Sequence, residues 1–324
     1  MSTEGGTKAV VAALVANLGI AITKMIAFLV SGMSSMLAES IHSFADSGNQ
    51  VLLLRGGKRA QREATPQHPF GFGRERYVYA FIVSIVLFSV GGLFALYEAY
   101  HKWHESRGNH DYDPFTSRWW WLPVAVLVVS IGLESMSFRT AIRESNHTRG
   151  QRSWPEFVRS AKAPELPVIL LEDLAALIGL VFALFGVGLA LLTKNQVWDA
   201  VGTGLIGLLL VAVAIILAIE MKSLLLGESA TPAHQAAIES ALTGAVGVER
   251  IIHLKTLHLG PEELLVAAKL AVAPTSSAAA VASVIDRAEA AARSAVPELR
   301  LVIYLEPDIA RDAEPAEKTD GVRL

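Results

Sequence analysis

Residues 174–193 read LAALIGLVFALFGVGLALLT, twenty positions without an Asp, Glu, Lys or Arg. At 1.5 Å per residue such a run forms a helix of roughly 30 Å, the thickness of a bilayer's hydrocarbon core. Two more runs match it: residues 77–97 are uncharged over 21 positions and residues 200–219 over 20. These runs make the chain an α-helical membrane protein. Working outward, a fourth span is expected at about residues 118–142, opened by the aromatic belt Trp119, Trp120 and Trp121 and carrying Glu134. Two less clean spans precede them, residues 7–31 with Lys24 and residues 33–54 with Glu39, His42 and Asp46. A pair of amphipathic soluble helices is the alternative for these two. Residues 12–23 and 25–38 are apolar on all faces apart from Asn17 and small residues, which favours the membrane and a total of six transmembrane helices.

Composition bounds the function classes. Of 324 residues, 52% are hydrophobic and 18% charged, against roughly 25% charged in an ordinary soluble domain. A net charge of −3 excludes a nucleic-acid binder held by a basic face. The absence of cysteine excludes a disulfide framework, thiolate metal sites and cysteine catalysis. No cleaved signal peptide is expected, because no cleavage site follows the first apolar run.

Lys and Arg counts orient the spans. Residues 55–76 hold six and residues 139–162 another six, whereas 102–118 holds three and the turn at 194–198 one. Both termini are therefore expected in the cytoplasm, in a multi-pass protein of the plasma (inner) membrane. A short surface helix is expected over 153–162, begun by Ser153 and Pro155.

Past Gly227 the pattern changes. Helices are expected at 231–245, with Thr231 at its N-cap, and at 276–295; strands at 249–258, 263–273 and 299–305. The order is that of a split αββαβ sandwich. The expected domains are thus a six-helix transmembrane domain over 1–227, a cytoplasmic αββαβ domain over 228–310 and a disordered tail over 311–324, rich in charge and carrying Pro315.

Ionisable residues inside spans are costly and mark transport paths or sites. His42 and Asp46 are spaced i, i+4 and leave one face of the second span. Glu172 and Asp173 stand just past Pro167 at the start of the fifth. Asp46 lies roughly 16 Å from the cytoplasmic end of its helix and Asp173 roughly 14 Å along an antiparallel one, so the two can meet at one level. One imidazole and two or three carboxylates make a four-coordinate site for a divalent cation. Asn49 and Gln50 could support it or bond between helices. Asn17, Lys24 and Glu134 read as packing or pairing groups.

The stretch from Ala38 to Gln50, with His42, Asp46, Asn49 and Gln50 in register, resembles the second-helix signature of the cation diffusion facilitators. His68-Pro69-Phe70-Gly71-Phe72-Gly73-Arg74 is similar to that family's loop before helix 3. The resemblance runs from about residue 8 to 308 and implies a homodimer that exchanges a divalent metal, often zinc, for protons. It places the transport site on His42 and Asp46 of helix 2 and Asp173 of helix 5, with Asp173 turned towards helix 2. Many members carry a second HxxxD on helix 5. Here Ile169 occupies its first position, and the run Leu170 to Ala176 resembles the branch of the mitochondrial zinc transporter nine, with Glu172 as the natural substitute ligand. Three other family features are altered. Phe72 replaces one histidine of the loop pair that includes His68. Tyr304 and Glu306 stand where members use His-x-Asp. The histidine-rich loop between helices 4 and 5 is reduced to His147. His253 and His258 could bind metal but are expected as surface or core residues of a strand, and His101, His104, His110, Asp111 and Asp113 as a solvated outer loop, with capture of an exiting ion as the alternative.

The reading is a secondary-active antiporter, not an enzyme. It exports a divalent cation by alternating access, with zinc favoured and manganese, iron and cobalt as alternatives. Its partners are that cation, protons, the lipid bilayer and a second copy of the chain, with no resident cofactor. Protons and cation compete because binding needs a neutral imidazole and ionised carboxylates, and an imidazole titrates near physiological pH. Two rivals remain: a membrane metal sensor and an intramembrane metalloenzyme. The latter lacks an HExxH anywhere in the chain.

Overall fold

The computed structural model describes residues 3–108 and 119–309, with side chains described over 17–106 and 119–309. Two compact units emerge: one comprises the chain up to Arg62 plus Glu75–Lys222, the other Glu63–Arg74 plus the chain from Ser223.

The first unit is helical. It contains α1 (Thr3–Ser31), α2 (Ser34–Ala60), α3 (Glu75–Val86), a π-helical segment (Leu87–Leu93), α4 (Phe94–Gly108), α5 (Leu122–Arg149), α6 (Trp154–Ser160), α7 (Glu165–Thr193) and α8 (Val197–Leu226). Four stretches are long and apolar enough to cross a membrane: Glu75–Ser106, Leu122–Arg149, Glu165–Thr193 and Val197–Leu226. With them the chain is a multi-pass integral membrane protein. Of the six expected spans, four are thus long and apolar enough to cross and two are not. In α1 the described apolar stretch is the short Asn17–Ser31. In α2 the length suffices, since 27 residues rise roughly 40 Å, but the composition does not. Its polar residues Ser34, Ser35, Glu39, Ser40, His42, Ser43, Ser47 and Asn49 are all buried. A hydropathy average penalises such a helix although its polarity faces protein rather than lipid.

The third span is continuous in sequence and is interrupted in geometry. The π segment contains Gly91 and Gly92, and its wider turn is the usual signature of a locally adapted helix. The α7–α8 hairpin closes on paired glycines: a Cβ at Gly186 would meet Trp198 O at 2.9 Å, and one at Gly202 would meet Phe182 O at 2.9 Å. Small residues give this close approach in the absence of a hydrophobic drive between membrane helices. The short helix expected after α5 is α6. Ser153 caps it in a capping box with Glu156, and Phe157 is buried against Ala141 and Leu170.

The second unit has the element order α9 (Pro232–Thr243), β1 (Arg250–Gly260), β2 (Glu263–Val272), α10 (Ala278–Ala295) and β3 (Arg300–Ile309). Sheet order is β1-β2-β3, antiparallel between the first two and parallel between the last two. A parallel neighbour needs a crossover, and α10 supplies it. Thr231 and Ser277 cap the two helices by accepting from His234 N and Ala280 N. Ile238, Leu242, Leu264, Val266, Leu270, Ala288, Leu301 and Ile303 form the core. The loop Glu63–Arg74 also belongs here, although it interrupts the helical unit in sequence. A Cβ on Gly73 would meet Leu259 O at 2.8 Å, so only glycine lets the loop lie on the β1–β2 turn. The tail expected to be disordered lies outside the described residues.

Candidate functional site

The polar face of α2 is divided among three neighbours. Towards α1, Lys24 is fully buried and donates to Glu39 Oε2 at 3.0 Å and to Ser43 Oγ at 2.8 Å. Gly179 of α7 leaves the room: a Cβ there would come within 2.9 Å of Glu39 Oε1. The lysine is therefore a pairing group, as expected, and its partner is Glu39 rather than a carboxylate of α7. Towards α8, Asp199 takes the start of α2. Its Oδ2 accepts from Ser34 N at 2.6 Å and Ser34 Oγ at 2.9 Å, and its Oδ1 from Ser35 N at 3.3 Å and from Ser35 Oγ. Met33 at the N-cap offers no side-chain acceptor, so a distant aspartate fills the cap that a local Ser or Asp ordinarily supplies.

Towards α7 lie the expected ligands. His42 is 1% exposed and its Nε2 lies 3.5 Å from Asp46 Oδ2, one helical turn on. Both ring nitrogens of His42 and Oδ1 of Asp46 are buried without a hydrogen-bond partner. Buried polar atoms are paired in all but a few cases, so three unpaired ones on one turn of helix single out this place as a candidate site. Across from them, Glu172 Oε1 accepts from Asn49 Nδ2 at 2.7 Å, and Asp173 Oδ2 accepts from Ser137 Oγ of α5 at 2.9 Å. Asp46, Glu172 and Asp173 line one cavity of about 20 Å³, together with Ser43, Gln50, Asn17 and Glu134. A space that size holds one water or one bare cation.

Three expectations need correction. Glu172, not Asp173, reaches α2 directly, through Asn49. Adjacent residues on a helix point about 100° apart, and the register turns Asp173 to α5. His42 does not line the cavity; its ring lies 3.5 Å from Asp46 Oδ2. Among the described residues no three His, Asp or Glu side chains converge closely enough to hold an ion as they stand. Carboxylates sharing an apolar site repel one another, and here Glu172 and Asp173 have each taken a neutral donor, Asn49 and Ser137. Asn17 and Glu134, read as packing or pairing groups, also line the cavity. Glu134 carried the signal, an acid mid-span, but only the packing of α5 on α7 shows where it points.

The second unit is arranged differently. Asp308 and Glu306 both bridge Lys269 at 3.1 Å, and the hydrogen bond to Asp308, then that to Glu306, holds the Lys269 ammonium above its ordinary pKa. Tyr304 is 59% exposed. His258 is buried, with Nδ1 3.1 Å from Gly260 O. In the loop Glu63–Arg74, the His68 ring packs against Phe72 at 4.7 Å. On α4, His101 and His104 lie against Tyr97 and Tyr100. His110, Asp111 and Asp113 lie outside the described residues.

Residues 10–226 match the cation efflux transmembrane domain, a transport domain and not an enzyme. The proton-coupled zinc antiporter SLC30A9, mitochondrial, of Xenopus laevis is 31% identical over 261 residues, covering 80% of this chain and 45% of its own length. Metal tolerance protein C4 of Arabidopsis thaliana is 25% identical over 266 residues, 81% of this chain and 56% of its own. Magnetosome protein MamB of a Magnetospira strain is 27% identical over 178 residues, 54% of each chain. The chain spans about half the length of these relatives. The first is mitochondrial by name, so it lends nothing to the expected plasma-membrane location.

Proposed function

The chain belongs to the cation efflux family, and from that premise we propose that it carries a divalent metal cation across the membrane in exchange for protons. The observation that carries the reading is the ion-sized cavity lined by Asp46, Glu172 and Asp173 inside the helical unit. Its atoms are oxygen donors with one imidazole beside them, a set that suits zinc and also manganese, iron and cobalt. The zinc antiporter among the relatives favours zinc.

In this reading an arriving cation replaces the bonds that now hold the carboxylates apart. Asp46 Oδ1 is already free to meet it. Glu172 and Asp173 reach it with their second oxygens while Asn49 and Ser137 keep the first, an arrangement in which outer hydrogen bonds orient the ligands. His42 joins by swinging past Asp46. Because the ion needs these groups deprotonated, protons taken up from the far side displace it. Six helices span the membrane: α1, α2, α3 with its π segment and α4, α5, α7 and α8. Both termini face the cytoplasm, and rocking of α1, α2, α5 and α7 against the rest exposes the cavity to either face. The working form is a homodimer and the direction is export.

The test is flux. Purified protein in proteoliposomes is given an imposed pH gradient, and zinc, manganese, iron(II) and cobalt(II) are supplied one at a time. The expected result is zinc uptake that scales with the gradient and dissipates it. Metal binding without flux would overturn transport in favour of sensing, and turnover of a covalent substrate would overturn it in favour of an enzyme.

A further inference from the structure

A groove of about 570 Å³ opens on the helical unit between α5, α6, α7 and α8, well within the roughly 300–1,000 Å³ of ordinary ligand sites. Phe138 and Ile142 of α5, Leu171 and Leu174 of α7, and Ile216 and Ile219 of α8 make its walls. Its polar lining comes from α6 and the end of α8, where Arg159 and Glu220 stand at the rim beside Trp154. The groove is thus apolar along its length and charged at one end.

The depth of that end follows from the sequence around it. Residues 139–162 carry six Lys or Arg against two acids, Glu144 and Glu156, a net charge of +4. Trp154 is the kind of aromatic that settles at headgroup level. Two of the arginines are already engaged. Arg149 lies 4.3 Å over the Trp154 ring, and Arg152 donates to Ser160 Oγ and to the carbonyls of Thr148 and Arg149. Arg159 is different. It is exposed, and among the described residues it makes no ion pair or hydrogen bond.

We propose that this groove binds an anionic phospholipid from the adjoining leaflet, one acyl chain lying along α7 and α8 and the phosphate held by Arg159. An apolar groove open to a bilayer fills with lipid chains, because nothing else there is apolar and abundant. The charged end chooses among headgroups. A guanidinium matches a phosphate by paired hydrogen bonds, and the surrounding positive charge adds attraction for a headgroup with a net negative charge. The occupied groove would brace α6 against α7, the helix that carries Glu172 and Asp173.

The experiment uses the full chain, purified in detergent, stripped of lipid and titrated with dioleoyl phosphatidylglycerol or dioleoyl phosphatidylcholine under native mass spectrometry. One phosphatidylglycerol per chain is expected, bound at least about tenfold more tightly than phosphatidylcholine. R159Q, a surface change that leaves the fold alone, should lower phosphatidylglycerol binding about tenfold and remove the preference. I219W, which fills the groove, should abolish retention of either lipid with the oligomeric state unchanged. Equal binding of the two lipids by the unaltered chain would overturn headgroup recognition. Phosphatidylglycerol binding that survives both variants would overturn the site, and so would an I219W chain that changes oligomeric state with lipid binding intact, since a second copy would then be what covers the groove.

Discussion

Two aspartates meet α2 in opposite conditions, Asp199 of α8 at its start and Asp46 near its middle. At its start, Asp199 accepts four hydrogen bonds from Ser34 and Ser35, two to each oxygen. Near its middle, Asp46 has one oxygen without a partner and the other 3.5 Å from an imidazole whose nitrogens are themselves unpaired. The residue type is the same and Asp199 is the more deeply buried of the two; what differs most is satisfaction. An acid whose acceptor sites are filled is built into the fold, and an acid left short in a protein interior calls for a further partner, of which a bound cation is the one proposed above. The comparison also covers Lys24 and Glu39, an intermediate case in which charge is matched but Glu39 Oε1 is left open.

The strongest way to break the comparison is to remove the unsatisfied acid. Asp46→Ala should lower metal flux in proteoliposomes by about two orders of magnitude, as losses of a group acting directly on the transported species do. Thermal unfolding should move little, because no hydrogen bond is lost. An unfolded or monodispersity-impaired Asp46→Ala protein would mean that Asp46 is structural after all. The next effect falls on the intermediate case and reverses the pattern. Lys24→Met leaves Glu39 buried without its counter-charge, and breaking such a pair costs about 3–5 kcal/mol. The double variant Lys24→Met/Glu39→Gln should recover most of that in the same unfolding measurement. Failure of the rescue would show that Lys24 acts on something other than Glu39.

Asp199 comes third. Asp199→Ala strands two backbone N–H groups and two hydroxyls, though water and neighbouring carbonyls can take some of them; a loss of about 2–3 kcal/mol is expected. Asp199→Asn keeps one acceptor oxygen and should lose less. Flux per folded molecule should stay within about twofold for both. A flux defect exceeding the loss of folded protein would move Asp199 from the structural to the functional side of the comparison.

How much of this could be read from the chain depends on how local each cause is. The αββαβ elements and the capped α6 are spelled by alternation, Ser and Thr caps and Pro at the first turn, all within a few residues. His42 and Asp46 were legible because a helix puts i and i+4 together whatever surrounds it. The orientation of Glu172 and Asp173 was not, since each faces whichever helix α7 happens to pack against. Asn17 and Glu134 reach the cavity, and Asp199 caps α2 across 165 residues of sequence, by tertiary contacts that no spacing encodes. The loop Glu63–Arg74 joins the second unit for the same reason: Gly73 signals a close approach but not to what.

The smallest effects lie one bond away from the carboxylates and ask whether satisfaction also grades their neighbours. Asn49 is fully buried and donates to Glu172 at 2.7 Å; Ser137 is exposed and donates to Asp173 at 2.9 Å. Both hold a carboxylate in a chosen direction, and removing such a support typically lowers metal affinity about 10- to 100-fold. A water in the cavity that Asp173 lines can stand in for the Ser137 hydroxyl, whereas the Asn49 amide is fully buried. Asn49→Ala should therefore weaken zinc binding by about tenfold in calorimetry, and Ser137→Ala by about threefold or less. The ordering matters more than either value. Asn49→Ala also removes the one direct side-chain hydrogen bond seen between α2 and α7 at the cavity, so its flux should fall further than its affinity does. Should Ser137→Ala prove the more damaging of the two, Asp173 would be the acid that grips the ion, and the Glu172–Asn49 bond would belong with Asp199 among the contacts that only build the fold.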